Sequence, residues 1–135
     1  MTTLFTKIID GEIPGTFVYE DERVVAFLDV LPLTDGHVMV VPREEISHWI
    51  DMPEDLTDHV MAVAQKIGKA QKASFDCDRI GVMIQGYEVP HVHVHVWPTN
   101  SIKDFSNSAR PAEMVPGEEL EVHAAKIREA LAAFG

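Results

Sequence analysis

The sequence predicts an α+β fold, with a mainly antiparallel sheet of about five strands, one long helix after the third strand and a C-terminal helix. Three observations predict it. Five short segments rich in β-branched and aromatic residues punctuate the chain, and two stretches repeat apolar residues at helical spacing. Their order, β-β-β-α-β-β-α, lacks the strict alternation of strand and helix that builds a parallel sheet.

The strand segments are 16–19, 24–28, 37–41, 80–85 and 91–97. Turn formers separate most of them, notably Asp21-Glu22, Pro32 with Asp35-Gly36, and Gly86. The long helix is expected to begin near Asp51 and to carry Leu56, Val60, Val63, Ile67 and Ala70 on one face. The second helix, about 117–133, presents Leu120, Ala124, Ile127 and Leu131. Its acidic first turn (Glu118, Glu119, Glu121) and later Lys126 and Arg128 suit the helix dipole. Residues 102–116, with Ser, Asn, Pro and Gly, read as an extended surface connection that a partner subunit would order.

The length of 135 residues fits one domain over 1–135, since two cores of half that size would each be marginal. No apolar run reaches the ~20 residues of a membrane helix, so no membrane partner is expected. The start, Met1-Thr-Thr-Leu-Phe-Thr-Lys, lacks the plan of a secretion signal. A single cysteine, Cys77, allows no internal disulfide, and the cytoplasm is the default location. A net charge of −11 argues against a nucleic-acid partner, whose phosphates need Lys and Arg. It leaves room for a small anionic ligand held locally by backbone N–H groups and histidines.

The chemistry concentrates in His91-Val-His93-Val-His95-Val-Trp97. In a strand, side chains alternate faces, so the three histidines share one side and Val92, Val94 and Val96 the other. Successive imidazoles are rooted roughly 7 Å apart, from a rise of about 3.3 Å per residue. A lone histidine is ordinarily a surface or core residue, but three in alternation backed by valines are a working face. Two readings stand at this point. The histidines bind a metal, or one attacks phosphorus while the others orient it and hold the phosphate. His37 can approach the run under either reading, and Cys77 adds nothing to the metal reading.

The run resembles the signature of the histidine-triad (HIT) family, His-φ-His-φ-His-φ-φ with φ apolar. Other stretches fall in that family's order and resemble its Hint-like bacterial members. These are Leu4-Phe5-Thr-Lys-Ile8-Ile-Asp-Gly-Glu-Ile-Pro14, Tyr19-Glu-Asp, Ala26-Phe27-Leu-Asp29-Val30-Leu-Pro32 and Gly36-His37-Val-Met-Val-Val-Pro42-Arg43. The likeness covers about 3–98, leaving 99–135 as an extension and helix. It implies an α+β homodimer whose two sheets join into one. It also implies hydrolysis or transfer at the α-phosphate of a purine nucleoside phosphate or phosphoramidate, without a cofactor.

By position, His93 matches the family's nucleophile and His95 a phosphate-contacting histidine, with His91 and His37 in support. Asp29 sits where the family binds ribose hydroxyls; on its own it reads as a turn cap before Pro32. Leu4, Phe5, Ile8, Phe27 and Val30 sit where it walls the base, though Phe5 and Phe27 alone read as core aromatics. Gln85 lies near the place of an amide that contacts phosphate, and backbone N–H groups from Val89 to His93, Pro90 excepted, are candidate phosphate donors.

The departures matter too. Many relatives carry zinc on Cys-x-x-Cys plus histidines, and here those positions read Thr3, Thr6 and Glu45, so no metal is expected. The loop Gly86-Tyr87-Glu88-Val89-Pro90 is short and lacks the usual Gly-Gln-Ser/Thr stretch, with Glu88 where relatives carry a hydroxyl donor. Three alternatives to the Hint-like reading are a Fhit-like diadenosine-polyphosphate hydrolase, a nucleotide-binding regulatory module with little turnover, and a metal-dependent protein.

Overall fold

The computed structural model describes residues 2–134. A short helix α1 (Leu4–Ile9) leads into β1 (Phe17–Glu20), β2 (Val24–Leu28) and β3 (Val38–Pro42). The long helix α2 (Glu54–Ser74) follows, then β4 (Arg79–Met83), β5 (Val94–Thr99) and α3 (Gly117–Ala133). The five strands form one sheet in the order β1-β2-β3-β5-β4, and every neighbouring pair is antiparallel. The α+β expectation therefore holds. No helix among the described residues is long and apolar enough to cross a membrane.

Alternation divides the sheet. Val24, Ala26, Leu28, Val38, Val40, Val94 and Val96 point into the main core, against Leu56, Val60, Val63 and Ile67 of α2 and Leu120, Ala124 and Ile127 of α3. Burying such aliphatic side chains contributes roughly 1.5–3 kcal/mol each before entropy is subtracted. The opposite face of an antiparallel sheet is often wet. Here it carries a second cluster, Val25, Phe27, Met39 and Val41, roofed by Phe5 of α1.

Several boundaries differ from expectation, the first, third and fourth strands shifting at their ends and the fifth running on to Thr99. The fifth strand starts at Val94 rather than His91, because the β3–β5 register would next bring Pro42 opposite Val92, and Pro42 has no N–H to donate. Val92 N–H instead donates to Ile46 O at 2.8 Å. The fourth strand stops at Met83 rather than Gln85, since in the β4–β5 register Gln85 would face His93, which lies before the start of β5. The long helix starts at Glu54, three residues after a 3-10 turn at Trp49–Asp51.

Helix α1 was not among the expected elements, although Thr3 caps it by accepting from Thr6 N–H at 3.1 Å and Gly11, at φ +84°, stops it. Residues 102–116 are not a plain extended connection. They hold two 3-10 turns, Ile102–Phe105 and Asn107–Ala109, and the chain's own sheet orders them.

Candidate active site

The face roofed by α1 receives its polar groups from three strand ends. Asp29 follows β2, His37 precedes β3, and His95 lies within β5 with His93 just before it. His91, His93, His95, His37 and Asp29 are all buried. Outside β5 the chain no longer alternates regularly, so the three histidines take three different environments.

Their hydrogen-bond partners fix where the protons sit. His91 Nε2 lies 2.7 Å from Pro42 O, an acceptor, so that nitrogen donates. Its Nδ1 therefore accepts, and the Thr3 hydroxyl donates to it at 2.7 Å. His93 Nδ1 donates to His91 O at 2.7 Å, which leaves the lone pair of His93 on Nε2. A relay fixes His95: Leu33 N–H donates to His37 Nδ1 at 2.9 Å, and His37 Nε2–H donates to His95 Nδ1 at 2.9 Å. The proton of neutral His95 is then on Nε2. The rings of His93 and His95 lie 4.8 Å apart at 72°, so a lone pair and an N–H donor stand side by side.

Burial keeps the rings of His37, His93 and His95 uncharged. It pushes His37 down to about 3, with Asp29 pulling the other way. It pushes His95 down to about 4, helped by neighbouring His93. His93 is lowered as well, chiefly by burial, against the opposing pull of the His91 carbonyl, Asp29 and Glu88. Near neutral pH His93 thus presents a free base, which a nucleophile must be.

The apolar residues divide. Phe5, Phe27, Ile8 and Val89 share the second cluster, with Phe5 edge-on to Phe27 at 5.5 Å and to His93 at 4.8 Å. Leu4 and Val30 are exposed and lie outside it. Gln85, beyond the end of β4, is exposed and makes no side-chain hydrogen bond among the described residues. Two of the candidate backbone donors are also occupied, His91 N–H by Val89 O at 2.8 Å and Val92 N–H by Ile46 O. Within that stretch, the N–H groups of Val89 and His93 make no such bond among the described residues. Glu88 is exposed, as a solvated loop carboxylate would be, yet its charge reaches His93.

Thr3, Thr6 and Glu45 form a hydrogen-bonded clasp. Glu45 Oε1 accepts from Thr3 N–H at 2.7 Å and from the Thr6 hydroxyl at 2.5 Å, while Thr3 links onward to His91. These bonds hold the Glu45 carboxyl below its ordinary range, the Thr6 hydroxyl contributing most. Two hydroxyls, one carboxylate and an imidazole nitrogen already accepting do not match the sulfur and nitrogen donors of a structural zinc site. The donor atoms that do converge belong to Asp29, His37 and His95, all within 4.8 Å of one another. They too are engaged, His37 with His95 and Asp29 with Arg110. His91, His93 and His95 do not converge as a ligand set.

Sequence reasoning missed Arg110, whose Nη1 donates to Asp29 Oδ2 at 2.9 Å. It also missed the backbone partners Leu33 N–H and Pro42 O. Nothing in a Ser- and Pro-rich segment marks one arginine as special. Thr3 and Glu45 were visible as departures but not as a clasp.

Comparison with known proteins agrees with this geometry. A profile of the HIT domain matches residues 10–102. A HIT-like protein of Methanocaldococcus jannaschii is 41% identical over 99 residues, covering 70% of this chain and 77% of its own length. An adenosine 5'-monophosphoramidase of Saccharomyces cerevisiae is 30% identical over 118 residues, 87% of this chain and 75% of its own. A zinc-bound histidine triad family protein of Mycobacterium smegmatis superposes with TM-score 0.84 at 28% identity, over 99% of this chain and 96% of that one. With the profile spanning most of the sequence and the Methanocaldococcus relative 41% identical over 77% of its own length, the chain belongs to the histidine-triad, or HIT, family.

Proposed function

We propose that this protein hydrolyses or transfers at the α-phosphate of a purine nucleoside phosphate or phosphoramidate, with Nε2 of His93 as the nucleophile. The observation that carries this reading is the proton arrangement of the site. The bond from His93 Nδ1 to the His91 carbonyl leaves Nε2 with its lone pair, next to a His95 whose relay leaves an N–H on its own Nε2. One group attacks phosphorus and its neighbour donates to a non-bridging oxygen, and positioning of this kind supplies much of phosphoryl-transfer catalysis.

In the first step the Nε2 lone pair forms a bond to phosphorus. The bond to the leaving group breaks, and the leaving group departs with its electron pair and takes up a proton from solvent, which the water attacking in the second step returns. His93 becomes a nucleotidyl-imidazolium whose Nδ1–H stays on the His91 carbonyl. Water then attacks phosphorus, the P–N bond breaks, and the neutral ring returns with release of a nucleoside 5'-phosphate. Asp29 serves as acceptor for the ribose hydroxyls, and Phe5, Ile8 and Phe27 wall the base. The yeast relative is a monophosphoramidase, which supports a phosphoramidate substrate.

The same reading includes a homodimer. β4 is an edge strand, and exposed Val82 on it and Met61 on α2 line a groove of about 700 Å³ with Ile80 and Gly68. A second copy pairing there would remove an exposed edge. The test of the function is turnover of adenosine 5'-phosphoramidate by the wild type and by His93→Asn. Loss of turnover with retained nucleotide binding is expected; near-normal activity in the variant overturns the reading.

A further inference from the structure

The segment after β5 lies outside the matched residues 10–102 from Lys103 onward, yet it closes over the end of the sheet where Asp29, His37 and His95 meet. It is anchored at three points. Trp97 Nε1–H donates to Asp104 O at 2.9 Å, and the Phe105 ring sits edge-on to Trp97 at 4.9 Å. Gly81 makes room for that ring, since a Cβ there would come within 2.9 Å of it. At the far end Val115 N–H donates to Val30 O at 2.8 Å.

Between the anchors, Arg110 reaches inward. Its Nη1 donates to Asp29 Oδ2 at 2.9 Å and to the Leu31 carbonyl, and its Nε donates to Asn107 Oδ1 at 3.2 Å. The side chains of Arg110 and Asp29 are only 15% and 10% exposed. Asp29 Oδ1 is held separately by Leu31 N–H at 2.9 Å. Both restraints involve Leu31, whose N–H holds Oδ1 and whose carbonyl shares the Arg110 Nη1 that holds Oδ2. A carboxylate has about four acceptor positions, so two remain after these bonds. A vicinal diol needs two.

We propose that Arg110 is a positioning residue that fixes Asp29 to accept both hydroxyls of a ribose, so that the segment after β5 sets a preference for ribonucleotides over deoxyribonucleotides. This rests on the reading of Asp29 as the ribose contact. The arrangement suits the neighbouring histidines as well. Asp29 draws protons toward His37 and His95, and the guanidinium opposes that pull.

The test is equilibrium binding of adenosine 5'-monophosphate and its 2'-deoxy analogue to the full chain, by calorimetry. The wild type is expected to prefer the ribonucleotide by about tenfold or more, the scale of one hydrogen bond to a charged group. Asp29→Asn should erase most of the preference, and Arg110→Ala should cut it to within about threefold by letting the carboxylate turn. Arg110→Lys keeps the charge without the planar fork, should fold where the alanine variant fails, and should lose part of the preference. A wild-type ratio retained in both Arg110 variants but lost in Asp29→Asn overturns the role of Arg110 alone. Tighter ribonucleotide binding in Arg110→Ala also overturns it, because the arginine would then obstruct the ribose. A wild type that binds both nucleotides equally removes the ribose role of Asp29, and this proposal with it.

Discussion

Lowering the pH from about 7 to about 5 will weaken this fold more than its carboxylates explain, because His37 and His95 fold as neutral bases. His37 is fully buried against Trp97, with its rings centred 5.5 Å apart, and bonded to Leu33 N–H and His95. His95 is 5% exposed beside His93, Asp29 and Arg110. Their folded values, about 3 and about 4, lie below the ~6.5 of an unfolded histidine. Above that value both states are neutral and nothing is gained or lost. As pH falls below it, the unfolded chain takes up protons that the native rings refuse, so stability declines, down to about 4 for His95 and about 3 for His37. At pH 5 the loss is about 2 kcal/mol for each ring, or ~4 kcal/mol if the two act independently, against a typical total of 5–15 kcal/mol. Asp21, held low by bonds from Tyr19, Arg23, Val24 and His59 that outweigh its burial, adds its own loss only below the ordinary carboxylate range. Urea unfolding at several pH values measures the slope. His37→Gln, whose amide can still donate to His95, should remove about half of it. An unfolding free energy flat between pH 7 and 5, or both rings titrating near 6.5 in the native protein, would refute the reasoning.

Four further outcomes follow from other parts of the structure. Thr3→Val removes both the cap of α1 and the donor to His91 Nδ1, and should cost about 1–3 kcal/mol by thermal unfolding; no change in stability would deny the clasp. A metal chelator, by contrast, should leave stability and activity unaltered in the wild type. Glu88→Ser should lower catalytic efficiency on a substrate whose leaving group bears an amine more than on one without, since a carboxylate attracts that amine and repels phosphate; an unchanged ratio means Glu88 reads nothing. Light scattering at micromolar concentration should give a dimer, and Val82→Lys on the edge strand should give monomers; an active wild-type monomer contradicts the pairing.

The parts of the fold visible in the sequence were those with a simple period. Val92, Val94 and Val96 and the Leu56–Ala70 face of α2 were each expected in a core, and they share the main one. Alternation set the histidine run apart from its valines, but it allowed His37 only to approach the run, and the bond from His37 to His95 is a contact across strands. What escaped were features decided by contact rather than period. The end of the β3–β5 ladder depends on Pro42 facing Val92 across strands, and that turned His91 from a strand residue into a support bonded to Pro42 O and Thr3. Helix α1 has only six residues, too short for periodicity, and is held by its cap and its packing on Phe27. Arg110 finds Asp29 across a separation of 81 residues, which no local pattern encodes.

The central claim is that His93 Nε2 becomes bonded to phosphorus during turnover. The direct measurement is mass spectrometry of protein mixed with adenosine 5'-phosphoramidate and quenched without acid, which would cleave a P–N bond. The account predicts an added adenylyl group on the peptide carrying His91, His93 and His95, fragmenting to His93 and absent in His93→Asn. An adduct on His91 or His95, or undiminished turnover by His93→Asn, would contradict it.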